Sequence, residues 1–198
     1  MGAEELEYHT YEDYLQIDKN KKDTEMIEFI FGNIYMMSGA SAKHQDVVLN
    51  IAVAIKAQNK KTCKPRIAPF DLKITLGGEI NIAQPDVMIF CDGKTLPCAV
   101  FEVLSKSTGY KDRGIKKDLY EMAEISEYFI VDTRLQIIDK YLLDGGKYYY
   151  VKGFNAKENE MMKIDCADIE VSIALIFEDT GEVEEMENTK EKSEEKIL

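Results

Sequence analysis

Apolar residues along the chain switch between a helical period and a strand period several times, and each switch marks an element. Residues 8–18 place Tyr11, Tyr14 and Leu15 on one side of a short helix. Residues 26–31 and 34–37 read as strands separated by Gly32-Asn33, a two-residue linker that predicts a type II′ hairpin. From 42 to 60, Val47, Val48, Ile51, Ala54 and Ile55 follow helical spacing, so a long amphipathic helix is expected. Residues 67–76, Gly77-Gly78 and residues 79–83 predict a second hairpin. Residues 85–90 and 99–104 are nearly continuous apolar runs, the mark of buried strands. Residues 110–123 predict a helix with Ile115, Leu119, Met122 and Ala123 facing inward. A strand at 127–132, a third hairpin over 137–143 and 147–151, and a short helix at 172–177 complete the pattern. This order predicts an α/β (α+β) domain, a mixed β-sheet flanked by helices with extra β-hairpins. The domain is expected over 1–178, followed at 179–198 by an acidic tail too polar to fold.

Charge changes the picture once its distribution is considered. The net charge is −12, but residues 4–28 and 178–198 each hold nine Asp/Glu against three Lys. The body between them is balanced, with 19 acidic and 19 basic residues. Acidity as a whole argues against a phosphate-rich partner, and the neutral body removes that objection. Two basic clusters stand within it: Lys56, Lys60, Lys61, Lys64 and Arg66, and Lys106, Lys111, Arg113, Lys116 and Lys117.

No apolar run is long enough for a membrane span, so no membrane association is expected. The four cysteines form no CxxC pair, which argues against structural zinc. Cys91 and Cys98 read as small core residues, implying a reducing, cytoplasmic setting.

The strongest chemical signal is a carboxylate inside each of two successive apolar strands, Asp86 and Glu102. Burying a lone carboxylate is costly unless it is paired or bound to a metal. Two on neighbouring strands suggest one shared site, and hard oxygen ligands suit Mg²⁺ or Mn²⁺. Asp112, Lys116 and Tyr120 follow at i, i+4 and i+8, one stripe on the next helix. Paired carboxylates, a divalent ion and an ammonium group are the parts that phosphodiester hydrolysis needs.

These residues also carry a resemblance. Tyr11-Glu12-Asp13-Tyr14-Leu15, the hairpin from Glu28 to Met37, His44, Gln84-Pro85-Asp86, the run Glu102-Val103-Leu104-Ser105-Lys106-Ser107-Thr108, the run from Asp112 to Tyr120, and Glu127 to Asp132 resemble the Uma-type family. That family belongs to the PD-(D/E)xK nuclease superfamily. The resemblance implies a restriction-endonuclease-like core and a metal-dependent endonuclease acting on DNA, with double-stranded DNA as the expected partner. It implies that Asp86 and Glu102 are metal ligands and that Glu28 and Lys116 join them as catalytic residues. The superfamily pattern puts a lysine two residues after Glu102, where this chain has Leu104, and Lys116 matches the position to which it moves. His44, Lys106, Arg113, Lys117 and Tyr120 are the expected substrate contacts. Lys106 stands where the family commonly has proline, and Phe31-Gly32 where it usually has Asp-Gly. Two other readings compete: a catalytically inactive nucleic-acid- or protein-binding module on the same fold, and an interaction protein that forms a homodimer.

Overall fold

Strand pairing builds two main sheets and a two-stranded ribbon, and the buried charges meet between the main sheets. The computed structural model describes residues 8–22, 24–37, 39–58, 62–105 and 109–180. Lys106 and the tail from 181 onward lie outside the described residues. In chain order the first elements are α1 (Tyr11–Asn20), β1 (Met26–Ile30), β2 (Asn33–Met37), α2 (Ala42–Ala57), β3 (Cys63–Ile67), β4 (Leu72–Leu76) and β5 (Glu79–Ala83). There follow β6 (Val87–Cys91), β7 (Ala99–Val103), α3 (Gly109–Arg113), α4 (Ile115–Met122), β8 (Glu127–Asp132), β9 (Ile137–Asp144) and β10 (Lys147–Asn155). The last are β11 (Met161–Ile164), β12 (Ile169–Ser172) and α5 (Ile173–Ile176).

A four-stranded antiparallel sheet runs β2-β1-β5-β4, and a six-stranded mixed sheet runs β10-β9-β8-β7-β6-β3. Its one parallel pair is β7 with β8, joined through α3 and α4. One face of the six-stranded sheet packs Val87, Ile89, Phe101, Phe129 and Val131 against Val47, Ile51 and Ile55 of α2. The ribbon β11-β12 and α5 extend that cover. The opposite face brings Met88, Val100, Tyr128 and Ile130 against Ile30, Leu72, Ile74 and Ala83 of the smaller sheet and against Leu119 and Tyr120 of α4. Helix α1 covers the outer side of the small sheet through Tyr14, which meets Ile27, Phe29 and Ile82. Its start is fixed by a capping box, with Thr10 Oγ1 accepting from the Asp13 backbone N–H at 3.2 Å and the Asp13 carboxylate accepting from the Thr10 N–H at 2.8 Å. Among the described residues no helix is long and apolar enough to cross a membrane.

Several elements differ from the sequence-based expectation. The first hairpin turns at Phe31-Gly32, with φ of 48° and 75°, because Ile30 pairs with Asn33. Positive φ at both positions is the type I′ turn, not type II′. Phe31 is held there by the Asn81 side chain, which accepts its N–H at 2.8 Å, while Asn33 Nδ2 donates to the Phe31 carbonyl at 3.0 Å.

The run 67–76 is not one strand: β4 takes its second half, and Ile67 is the last residue of β3, a strand from Cys63 that the sequence did not mark. A loop containing Pro69 separates β3 from β4 and sends them to different sheets. The helix expected over 110–123 is two helices with Gly114 between them. Its inward stripe is also rotated: Met122 is 58% exposed, whereas Lys116, Leu119 and Tyr120 are buried. The carboxylates beneath α4 draw Lys116 inward, and an apolar count cannot register that pull.

Cys63, Cys91 and Cys98 are buried and Cys166 is half-buried, but all four are paired. Cys63 is bonded to Cys91, its directly opposite partner across β3 and β6, and Cys98 is bonded to Cys166. This corrects the reading of Cys91 and Cys98 as unpaired core residues. It also removes the cysteine-based ground for a reducing, cytoplasmic setting. Sequence separations of 28 and 68 residues hide both pairings until the strands register.

Candidate functional site

Glu28, Asp86, Glu102 and Lys116 come from four different segments and meet in the seam between the sheets. In β1, Ile27 and Phe29 face α1, so alternation turns Glu28 the other way, toward the large sheet. In β7, Phe101 and Val103 face α2, so Glu102 projects toward the small sheet. The register of β6 and β7 pairs Val87 with Phe101. Asp86, one residue before β6, therefore comes up beside the Glu102 end of β7, and its Oδ2 accepts the Val103 N–H at 2.7 Å.

Lys116 closes the arrangement from α4. Its Nζ lies 2.7 Å from Glu102 Oε1, 2.9 Å from Glu28 Oε1 and 3.8 Å from Asp112 Oδ1, and the residue is only 2% exposed. Burial opposes its charge, but the Glu102 and Glu28 carboxylates more than offset that and hold its pKa above the ordinary lysine value. The sequence allowed Asp112 and Lys116 to be an exposed ion pair; both are buried. Tyr120 donates its hydroxyl to Glu102 Oε1 at 2.7 Å and is fully buried. It therefore sits beneath the carboxylate and orients it, in place of the substrate contact expected from sequence.

The other expected contacts divide. His44 is brought in: Ser41 caps α2 and accepts the His44 N–H at 3.3 Å, and His44 Nε2 lies 3.4 Å from Asp86 Oδ2. Arg113 is exposed and reaches Asp139 at 3.4 Å. Lys117 lies over the Tyr141 ring at 4.2 Å. Two residues were not singled out from the sequence. Lys111 is buried, 3.8 Å from Glu28 Oε2 and 5.0 Å from the centre of the Tyr35 ring. Gln84 donates its backbone N–H to Glu28 Oε1 at 2.9 Å and its side-chain amide to Asp71 at 2.8 Å. Gln84 was legible as part of Gln84-Pro85-Asp86; nothing in the sequence distinguished Lys111 from its solvated neighbours.

The charge balance bears on the metal that the fold family implies. Four carboxylates (Glu28, Asp86, Glu102 and Asp112) gather around Lys116 and Lys111. Burial, and then the neighbouring carboxylates against the pull of Lys116, leave the Glu102 pKa well above the usual range. Glu28 Oε2 is buried without a hydrogen-bond partner. A divalent cation would relieve both. Among the described residues no three His, Cys, Asp or Glu side chains converge into a complete cage. Carboxylate oxygens are hard donors, so the chemistry of the residues gathered here fits a hard divalent ion.

A family model described as "Uma2: Putative restriction endonuclease" matches residues 11–174. The chain belongs to this family. The chain is also similar to two uncharacterised proteins of Synechocystis. One, slr1290, is 29% identical over 162 residues, covering 77% of this chain and 83% of the relative. The other, sll1609, is 28% identical over 170 residues, covering 78% and 94%. Among solved structures, a protein from Anabaena variabilis described as a "putative nuclease belonging to DUF820" superposes with a TM-score of 0.66. The match covers 85% of this chain and 97% of that one at 14% identity, which establishes a shared restriction-endonuclease-like fold.

His44 gives the site a pH signature. Burial lowers its pKa, but the hydrogen bond and charge of Asp86 more than offset this, so the net shift is upward from 6.5. A histidine with a raised folded-state pKa contributes stability that is complete below its unfolded pKa and is lost as pH rises through the folded value. We expect the melting temperature to fall as pH is raised from about 6.5, and His44→Gln to flatten that slope. Thermal melts of both proteins across pH 5.5–8.5 check this.

Proposed function

We propose that this Uma2 chain is a Mg²⁺- or Mn²⁺-dependent endonuclease that hydrolyses phosphodiester bonds of double-stranded DNA. The observation that carries the reading is Lys116, buried and charged, bridging Glu28 and Glu102 beside Asp86. Asp86 and Glu102 hold the cation. When bound, the cation neutralises phosphate charge and makes its water a better nucleophile. Lys116 acts through the carboxylates, keeping Glu102 oriented and Glu28 in place. The Tyr120 hydroxyl fixes the same Glu102 oxygen, and the Val103 N–H fixes one Asp86 oxygen. Buried ion pairs of this kind are costly to assemble and have limited value for stability alone, which favours a functional reason for keeping them.

One observation favours a second reading, a nucleic-acid-binding module without catalysis. The usual strand lysine is Leu104, and the lysine that replaces it is engaged by three carboxylates. The two readings separate when supercoiled plasmid is incubated with Mg²⁺, with Mn²⁺ and with EDTA, beside Asp86→Asn. The nuclease reading requires nicking or linearisation that depends on metal and is absent from the variant. Equal cleavage by both proteins, or none, rejects it.

A further inference from the structure

A second feature lies on the opposite side of Gln84 from the site. The strands β3 and β4 are the free edges of their two sheets, and the loop 68–71 joins them. Between them runs an open groove of about 550 Å³, within the range of small-molecule and nucleotide sites. Lys64 and Arg66 of β3, Phe90 of β6, Phe70 of the loop and Thr75 of β4 line it. Both cations are exposed, and no carboxylate pairs with either among the described residues. The Arg66 guanidinium makes one hydrogen bond, to the Pro65 carbonyl at 3.0 Å. Phe70 is 42% exposed and meets Phe90 edge-on, with ring centres 6.3 Å apart, so one face of Phe70 stays open. An exposed phenylalanine beside two cations that pair with no carboxylate among the described residues offers a ring and positive charge together, the combination that single-stranded nucleic acid uses.

The groove is wired to the site. Asp71, also in its lining, accepts from the Gln84 side chain at 2.8 Å, and the Gln84 N–H donates to Glu28 at 2.9 Å. The Ala68 N–H donates to the Asp86 carbonyl at 3.2 Å. One loop thus borders both the groove and the two acidic segments.

We propose that this groove binds single-stranded nucleic acid leading away from the site, with bases stacking on Phe70 and Phe90 and phosphates lying against Lys64 and Arg66. The proposal rests on the nuclease reading for its position and names a feature of the substrate: unpaired nucleotides next to the cleaved bond. The ring faces select the unpaired form, because a duplex presents its base edges and not its base faces. Spacing along β3 supports the phosphate track. Lys64 and Arg66 are two residues apart, so they project to the same side about 6–7 Å from one another, close to the phosphate repeat of a single strand.

The test uses the full chain in EDTA, where no cleavage occurs, and a fluorescent single-stranded oligonucleotide with its duplex as the alternative probe. Anisotropy should show tighter binding of the single strand. Phe70→Ala should weaken it about tenfold, the scale of losing one base–aromatic stack. Lys64→Ala with Arg66→Ala should weaken it and reduce the dependence of log affinity on log salt by about 1.4, two phosphates at the single-strand increment. Phe70 and the two cations are at the surface, so the variants should melt with the parent. Equal affinity for duplex and single strand, or no loss with Phe70→Ala, overturns the proposal. So does displacement of the oligonucleotide by an acidic peptide with equal effect, which would mark the β3 edge as a peptide site. Phe70-dependent binding without metal-dependent cleavage would keep the groove and reject the nuclease. Asp86-dependent cleavage with unchanged binding in Phe70→Ala would do the reverse.

Discussion

Asp86→Asn is expected to reduce metal-dependent cleavage by at least about 100-fold, the scale of removing one preorganised charge-stabilising group, while leaving the fold intact. Asparagine is nearly isosteric with aspartate. Its Oδ1 can still accept the Val103 N–H that Asp86 takes at 2.7 Å, so the β6–β7 junction keeps its hydrogen bond. What disappears is one negative charge from a site that needs it to hold a cation. The same variant also loses the partner that raises the His44 pKa, so its stability should depend less on pH above about 6.5 than that of the parent. Cleavage assays at saturating Mn²⁺, with thermal melts of both proteins, check the two parts together. A variant that melts with the parent and cleaves as fast would remove Asp86 from the site.

Lys116→Met should have the largest effect on stability, a loss of about 3–5 kcal/mol in urea unfolding. Methionine matches the length of the stem and fits an apolar pocket, so packing is not the reason. The reason is that Glu28 and Glu102, both buried, lose the cation that lies 2.9 and 2.7 Å away. Glu102 must then ionise without a cation or take up a proton, and Glu28 keeps only Lys111, at the longer distance of 3.8 Å, so both options cost free energy in a site away from water. Adding Glu102→Gln to Lys116→Met should restore part of the loss, because one unpaired charge is removed. Non-additivity of this kind is the signature of groups in direct contact. A Lys116→Met protein within 1 kcal/mol of the parent would show that the carboxylates are stabilised by something other than this lysine.

Asp86 and Glu102 were legible in the sequence because they interrupt apolar strands. Only pairing, hydrogen bonding or metal binding makes such an interruption tolerable. Glu28 was legible only through the family resemblance, since on its own it is one acid among nine in an acidic segment. Lys116 carried a local signal, the spacing to Asp112 and Tyr120, but spacing could not separate an exposed ion pair from a buried one. The rotation of α4, which exposes Met122 and buries Lys116, is invisible to a count of apolar positions. That count assigns lysine to water, and here three carboxylates outweigh the assignment.

The sequence by itself determined the types of the elements it marked, the mixed α/β character, the family and the two strand carboxylates; it did not mark β3 or the ribbon β11-β12. These follow from local periodicity and from residue types that are costly to bury. The tertiary structure decided which strands join which sheet. It split 67–76 between two sheets, set the hairpin at Phe31-Gly32, and paired Cys63 with Cys91 and Cys98 with Cys166. It also placed Lys111 and Gln84 against Glu28 and opened the groove beside Phe70. Each of these depends on contacts between residues far apart in the chain. The energies that fix them come from strand register and from the pairing of buried charges, and neither has a local signature.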